Sequence, residues 1–452
     1  MTGPLGPRAA RRRFAAVTFL FWLPVGLWLP SQVLLLGERG LSLAAVAGLF
    51  AVHAITVSVL ELPTGGLSDV VGRRTVLAAA GVFNLAGLLL MALGTTAWVL
   101  TLAMVFVGTG RALSSGPAEA WYVDTVQAHY GPGAELRTGL ARGNTASAAA
   151  LAGGTLIGGG LPWLLGLGPD PGARLVRATS GLVLPLSVPA LLGSTVLLVF
   201  IGYVLSALPE PPRPPATLRA VLRGVPATVL GGLRLGARDA LIRRVLLSAG
   251  AAGAGLVTIE LLAPPRAAGL TGAAESGAVL FAALACTGFV CTALGSHCAP
   301  WAARVTGSSG RAVPASLGVS ATGLLLLCVT VLGDGPPALA LAAVGYALVY
   351  LGIGAAGPNE NDLLHHRVER GNRATALSVQ SLALQSVGAA AGLAAGALPP
   401  GALPWLPGGC ALLAGALLWL RRVLEPKSDG AQDLVRAVRA VRAPAGTEAL
   451  VG

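Results

Sequence analysis

The sequence predicts an all-α integral membrane protein, with twelve spanning helices arranged as two six-helix bundles. Three observations predict it. The mean hydropathy is +0.75, and the 452 residues are 54% hydrophobic and only 11% charged, against about 25% charged in a soluble domain. The apolar residues fall in blocks of about 20, the length that crosses a hydrocarbon core of roughly 30 Å. Arginine is shared unequally between alternate loops, as it is when one set of loops faces the cytoplasm.

The blocks lie near 14–36, 42–64, 75–95, 98–118, 143–166 and 179–205, then 242–263, 273–295, 312–333, 336–358, 374–397 and 401–421. Each must be helical, because a lone span has to satisfy its own backbone hydrogen bonds in lipid. The alternation of barrel strands, in segments of about ten residues, is absent. The first block follows Arg11, Arg12 and Arg13, as a secretory signal would, but it is too long and no small-residue cleavage site follows, so it counts as span one. Its Trp22, Trp28, Ser31 and Gln32 have two readings, as cavity lining or as interfacial anchors and packing.

Span two carries His53 at its middle, either a titrating group or a histidine hydrogen-bonded between helices. Glu61, near its end, is either bonded to the adjoining turn or a proton site. The next stretch, "ELPTGGLSDVVGRR" at 61–74, gathers charge among glycines. Gly65, Gly66 and Gly72 permit a tight turn. Asp69 sits near a helix end, placed to pair with an arginine, while Arg73 and Arg74 meet an anionic inner leaflet.

In span four, Arg111 is too deep to reach water and must face the interior, toward Glu119 or Glu61. It is either a charge that exchanges partners, the basis of proton coupling, or half of a permanent ion pair. Span five opens at "RGNTASA" from Arg142, and Gly154 to Gly158 permit close helix packing. Residues 206–241 carry the proline-rich "PEPPRPPATLR" and continue with arginines. They read as a linker lying on headgroups between a first bundle, 1–205, and a second, 242–421. Glu260 is the only acid deep in span seven, a contact for a cationic substrate or a proton, or a snorkelled structural group. Tyr346 and Tyr350 of span ten have the same two readings as the tryptophans. Span eleven opens at "RGNRATA" from Arg370. That match to span five points to a duplicated six-helix unit, the build of transporters that bind substrate at mid-membrane. The tail, 422–452, is a surface helix or a disordered basic segment.

With an even number of spans both termini share one side, and the N-terminal arginines make it cytoplasmic. The outside loops then hold only Arg39, Arg174, Arg177 and Arg266. The formal charge of +12 is therefore topological, and nucleic acid is not an expected partner. The five cysteines lie in or beside spans with no CxxC pair, so no metal is expected and they read as packing filler.

The residues Gly65, Leu67, Asp69, Gly72, Arg73 and Arg74 match GxLxDxxGRR, and in this place the chain resembles the major facilitator superfamily. "ELPTG" at 61–65, "GRALSSGPAEAWYVDT" at 110–125 and "LLHHRVERGNRATALSVQSL" at 363–382 resemble its bacterial multidrug and natural-product exporters. The resemblance implies that Asp69, Arg73, Asp124 and Arg373 form a cytoplasmic charge network holding the halves together when the outside is open. Two departures stand beside it: Arg111 has its glycine five residues on, at Gly116, and Pro162 comes late after "GGTLIGGG".

The expected protein is thus a bacterial inner-membrane transporter of alternating access, a monomer without cofactors that exports a small organic molecule in exchange for protons. There is no GxxxxGK[ST] run for ATP. An importer of a small metabolite keeps the same fold, and a transporter-like sensor differs only in lacking flux. An intramembrane enzyme is disfavoured because no GxSxG or HExxH run occurs.

Overall fold

The computed structural model describes residues 5–131, 133–167, 170–210, 234, 236–368 and 373–419, and for residues 62, 63, 65, 66, 69 and 373–375 the backbone alone. The central part of the expected linker, 211–233, and the whole tail lie outside the described residues. So do residues 370–372 of the second "RGN" repeat.

No strand occurs among the described residues. The first half contains α1 (Pro7–Trp28), α2 (Gln32–Glu38), α3 (Leu43–Val71), α4 (Arg73–Leu93), α5 (Ala97–Ser114), α6 (Pro117–Tyr130), α7 (Arg137–Leu165), α8 (Pro171–Ala178) and α9 (Val188–Ala207). The second half contains α10 (Ala240–Thr271), α11 (Ala274–Thr306), α12 (Ser309–Val329), α13 (Pro336–Arg367), α14 (Arg373–Ala397) and α15 (Leu406–Leu417).

Ten spans among the described residues are long and apolar enough to cross a bilayer, and the pair α1 and α2, bent by 40°, makes an eleventh. The bend falls at Leu29–Ser31, where Pro30 removes a backbone donor. The block expected at 401–421 is, among the described residues, a shorter apolar stretch, Leu403–Leu417, so these residues show ten or eleven full spans where twelve are expected. Span four is also two helices, because Gly116 adopts φ 95° between α5 and α6 and Pro117 opens the new helix, where its missing N–H costs nothing. Side chains start other helices: Ser42 accepts from the Ala45 N–H, and Asp239 accepts from Leu241 and Ile242.

With lipid outside, helices associate through close packing rather than burial from water. The two halves do this in the same way. In the first, α7 lies against α1 so closely that a Cβ at Gly158 would strike the Leu27 carbonyl, and one at Gly154 the Leu23 carbonyl. In the second, α10 lies as closely on α14, with Gly253 against the Leu384 carbonyl. Large side chains fill the remaining space, among them Trp121, Tyr122, Phe200 and Phe281, all fully buried.

The halves meet along two helix pairs. Toward the arginine-poor end, Gly159 of α7 faces Ala278 and Ala282 of α11, and Gly396 of α14 faces Leu43 and Ala47 of α3. Toward the arginine-rich end, the Ser381 hydroxyl of α14 donates to Glu61 Oε2 of α3 at 3.1 Å.

Candidate functional site

Between the halves lies a cavity of about 380 Å³. The first half contributes Trp22 and Trp28 of α1, Gln32 of α2, Phe50 and His53 of α3, Asn84 of α4, and Met104 and Arg111 of α5. The second half contributes Leu256 and Glu260 of α10 and Leu384 and Gln385 of α14. The wall is therefore largely apolar with a few convergent polar groups, the usual make-up of a small-molecule site.

Arg111 sits in this wall with its guanidinium carbon 5.3 Å from the centre of the Trp22 ring, a cation–π contact. The carboxylate whose field reaches it is Glu61, and its positive charge in turn reaches His53. Glu119 is not near. It follows the break at Gly116, and α6 carries it to an exposed position. Thr64 ties this corner together by donating to the Ala112 carbonyl at 3.0 Å. Glu260 stands on the opposite wall.

Tyr346 and Tyr350 lie one layer behind the cavity surface. Their rings stack with centres 4.8 Å apart, and Tyr346 is 1% exposed, edge-on to Phe281. Ser31 is also away from the cavity, fully buried and donating to the Trp28 carbonyl at 3.2 Å.

At the arginine-rich end, α3 and α4 are joined by Gly72 alone, with φ 108°. Arg73 pairs with Asp124 and donates to the Ala120 carbonyl. The backbone N–H groups of Arg73 and Arg74 donate to the two oxygens of Glu210 at 2.8 and 3.2 Å, so a carboxylate faces the positive end of α4. Leu67 packs on Val76, Ala80 and Leu113. The motif thus ties α4 to α6 and to the chain leaving α9, all within the first half. The side chains of Asp69 and Arg373 lie outside the described residues, as does any bridge they make to the second half.

The second half is tied differently. Asp239, the cap of α10, accepts from Arg367 Nε at 2.6 Å, and Ser309 donates to Asp362 at 3.1 Å. Burial pushes the Asp239 carboxyl up, but its bonds from Arg367, Ile242 and Leu241 outweigh this and hold it below the usual carboxylate range.

Two acids escaped the sequence reading. Glu210 lies in the proline-rich stretch, 137 residues from the N–H it meets. Glu360 is 4% exposed; it accepts from Gln380 at 3.3 Å on one oxygen, and the other has no partner. Its signal was present: "GIGAAGPNEND" continues the apolar run, and α13 extends to Arg367, not to the span end expected at 358.

A second depression, about 800 Å³, opens at the arginine-poor end between Glu38, Asp170, Arg177 and Glu275. It is the more open of the two, and the central cavity carries the convergent aromatic and charged side chains, which makes the latter the candidate site.

A family model described as the Major Facilitator Superfamily matches residues 14–393. A search of curated protein sequences finds no match. Among solved structures, the nucleoside transporter NupG is similar with a TM-score of 0.66 at 12% identity, over 91% of this chain and 98% of that one. A structure from the proton-dependent oligopeptide transporters gives 0.64 at 14% identity, over 95% and 99%. A D-xylose–proton symporter gives 0.65 at 17% identity, over 92% and 98%. At these identities the likeness is one of fold.

Proposed function

The chain belongs to the Major Facilitator Superfamily and is a multi-pass membrane transporter rather than an enzyme; from that premise we propose that it exports a small organic molecule by alternating access, driven by protons. The observation that carries this reading is the central cavity, whose charged groups come from opposite halves of the chain. Rocking one half against the other exposes such a cavity to each side of the membrane in turn.

In this reading the termini are cytoplasmic and twelve spans operate as a monomer. Asp69, Arg73, Asp124 and Arg373 latch the arginine-rich end. Glu61 is the coupling group that fits best, since its charge acts on Arg111 and its carboxylate bonds Ser381 of the other half. A proton entering down a potential of 100 mV supplies about 2.3 kcal/mol per charge.

The test is flux in proteoliposomes across a panel of organic compounds, with and without a proton uncoupler. The expected result is uncoupler-sensitive export by the native chain and at least a tenfold loss in Asp69→Asn and in Arg111→Ala, with membrane insertion unchanged. Native-like flux in both variants removes their assigned roles. Uptake is the second reading, favoured by the D-xylose–proton symporter among the similar structures; reversing the imposed proton gradient and recording which direction accumulates substrate separates the two.

A further inference from the structure

We propose that the cavity takes a zwitterionic, aromatic-bodied molecule, whose anionic group meets Arg111 of the first half and whose cationic group meets Glu260 of the second. The proposal rests on the transport reading and names its substrate class.

The arrangement of charge carries it. Arg111 and Glu260 both line the cavity and come from helices of different halves, α5 and α10. Neither has an ion pair or a side-chain hydrogen bond with another described residue. Nor do they meet one another, for the carboxylate acting on Arg111 is Glu61, and the side chains on which Glu260 acts are those of Tyr346 and Tyr350. A guanidinium and a carboxyl group therefore face the same space from opposite halves, with no ion pair between them.

A charge held in a low-dielectric wall is costly unless a counter-charge is supplied. A purely cationic guest supplies one to Glu260 and leaves a second positive charge in the space with Arg111. A purely anionic guest makes the converse error. A guest bearing both groups answers both walls and brings no net charge into the membrane interior.

The rest of the lining defines the body of the guest. Phe21, Trp22, Trp28 and Phe50 cluster on the first-half wall, and Leu256 and Leu384 lie on the other. Between the two charged ends the surface is thus apolar and rich in ring faces, which suits an aromatic skeleton. The volume, about 380 Å³, falls at the low end of the roughly 300–1,000 Å³ typical of small-molecule sites.

The experiment uses the purified full chain in nanodiscs and a panel of aromatic amino carboxylic acids. Each scaffold is offered as the free zwitterion, as its carboxamide (cation only) and as its N-acetyl derivative (anion only), and binding is read by tryptophan fluorescence. The expected result is that bound scaffolds prefer the zwitterion by about tenfold or more over either singly charged form, that is about 1.4 kcal/mol. Glu260→Gln weakens the zwitterion and the carboxamide by a similar factor and leaves the N-acetyl form unchanged. Arg111→Gln weakens the zwitterion and the N-acetyl form alone, and Arg111→Lys, which keeps a cation in place, restores part of that loss.

Three results overturn the proposal: singly charged forms binding as tightly as zwitterions, both glutamine variants weakening all three forms alike, or no zwitterion binding. Flux separates this failure from that of the transport reading. Movement of a singly charged compound keeps the transporter and removes the zwitterion, whereas a monodisperse, folded chain that moves no compound of any charge removes the transport reading itself.

Discussion

The two halves of the molecule share their packing and differ in their charges. Both bring their first and fifth spans together backbone against backbone, α1 on α7 through Gly154 and Gly158, and α10 on α14 through Gly253. At the arginine-rich end the likeness stops. The first half clusters Arg73, Asp124 and Glu210 around a one-residue turn, with the Arg73 side chain only 16% exposed. The second half has an ion pair of Arg367 with Asp239 whose arginine is 60% exposed. Packing constraints are the same for any pair of rods in lipid, whereas charge is placed where a task requires it. The difference fits the proposed latch, in which the first half supplies most of the charge, and leaves Asp239 of the second half as the cap of a helix end.

The comparison breaks most readily at Arg73. Arg73→Ala is expected to lower transport by tenfold or more with the protein still inserted, while Arg367→Ala lowers it less than twofold; parallel flux measurements on the two variants decide it. Equal losses from both remove the distinction between latch and cap.

The shared packing is sharpened by a pair of smaller changes. Gly158→Ala and Gly253→Ala each force a methyl group against a backbone carbonyl, and overpacking of this kind costs about 1–3 kcal/mol. The two variants should show similar reductions in thermal midpoint in detergent. A loss confined to one of them means that the halves are not built alike.

The smallest effect concerns acid. The Asp239 carboxyl is held below its usual range, so its contribution to stability is present above the unfolded value, about 3.9, and is lost as the pH falls through the folded one. Asp239→Asn should therefore be less stable than the native chain at neutral pH, and the gap should close on acidification below about pH 4. A gap that persists at low pH assigns the effect to lost capping geometry instead of charge.

Much of this was legible in the sequence because the solvent is lipid. A span must be long, apolar and helical, so the blocks appeared directly in the hydropathy, and the glycines at 154 and 158 announced close packing. That Arg111 faces the interior was readable from its depth, but the choice between Glu119 and Glu61 as its acid was not. Glu119 misled because sequence distance implied a continuous helix, and a single glycine with positive φ redirected it. Tyr346 and Tyr350 could not be placed, since on an apolar helix nothing in the pattern distinguishes a cavity-facing ring from one a layer behind. Glu210 and Glu360 were missed for a different reason. Their surroundings are made by segments distant in the chain, and charge at the end of a span looks the same whether it is solvated or enclosed.

The glycine seams have a mechanical consequence. Where backbone rests on backbone there are no rotamers to change and no slack to take up, so a shear along α1 and α7, or α10 and α14, would have to deform the main chain itself. Each half is stiff along its seam, and a motion of one half against the other would be taken up where α3 meets α14 and α7 meets α11.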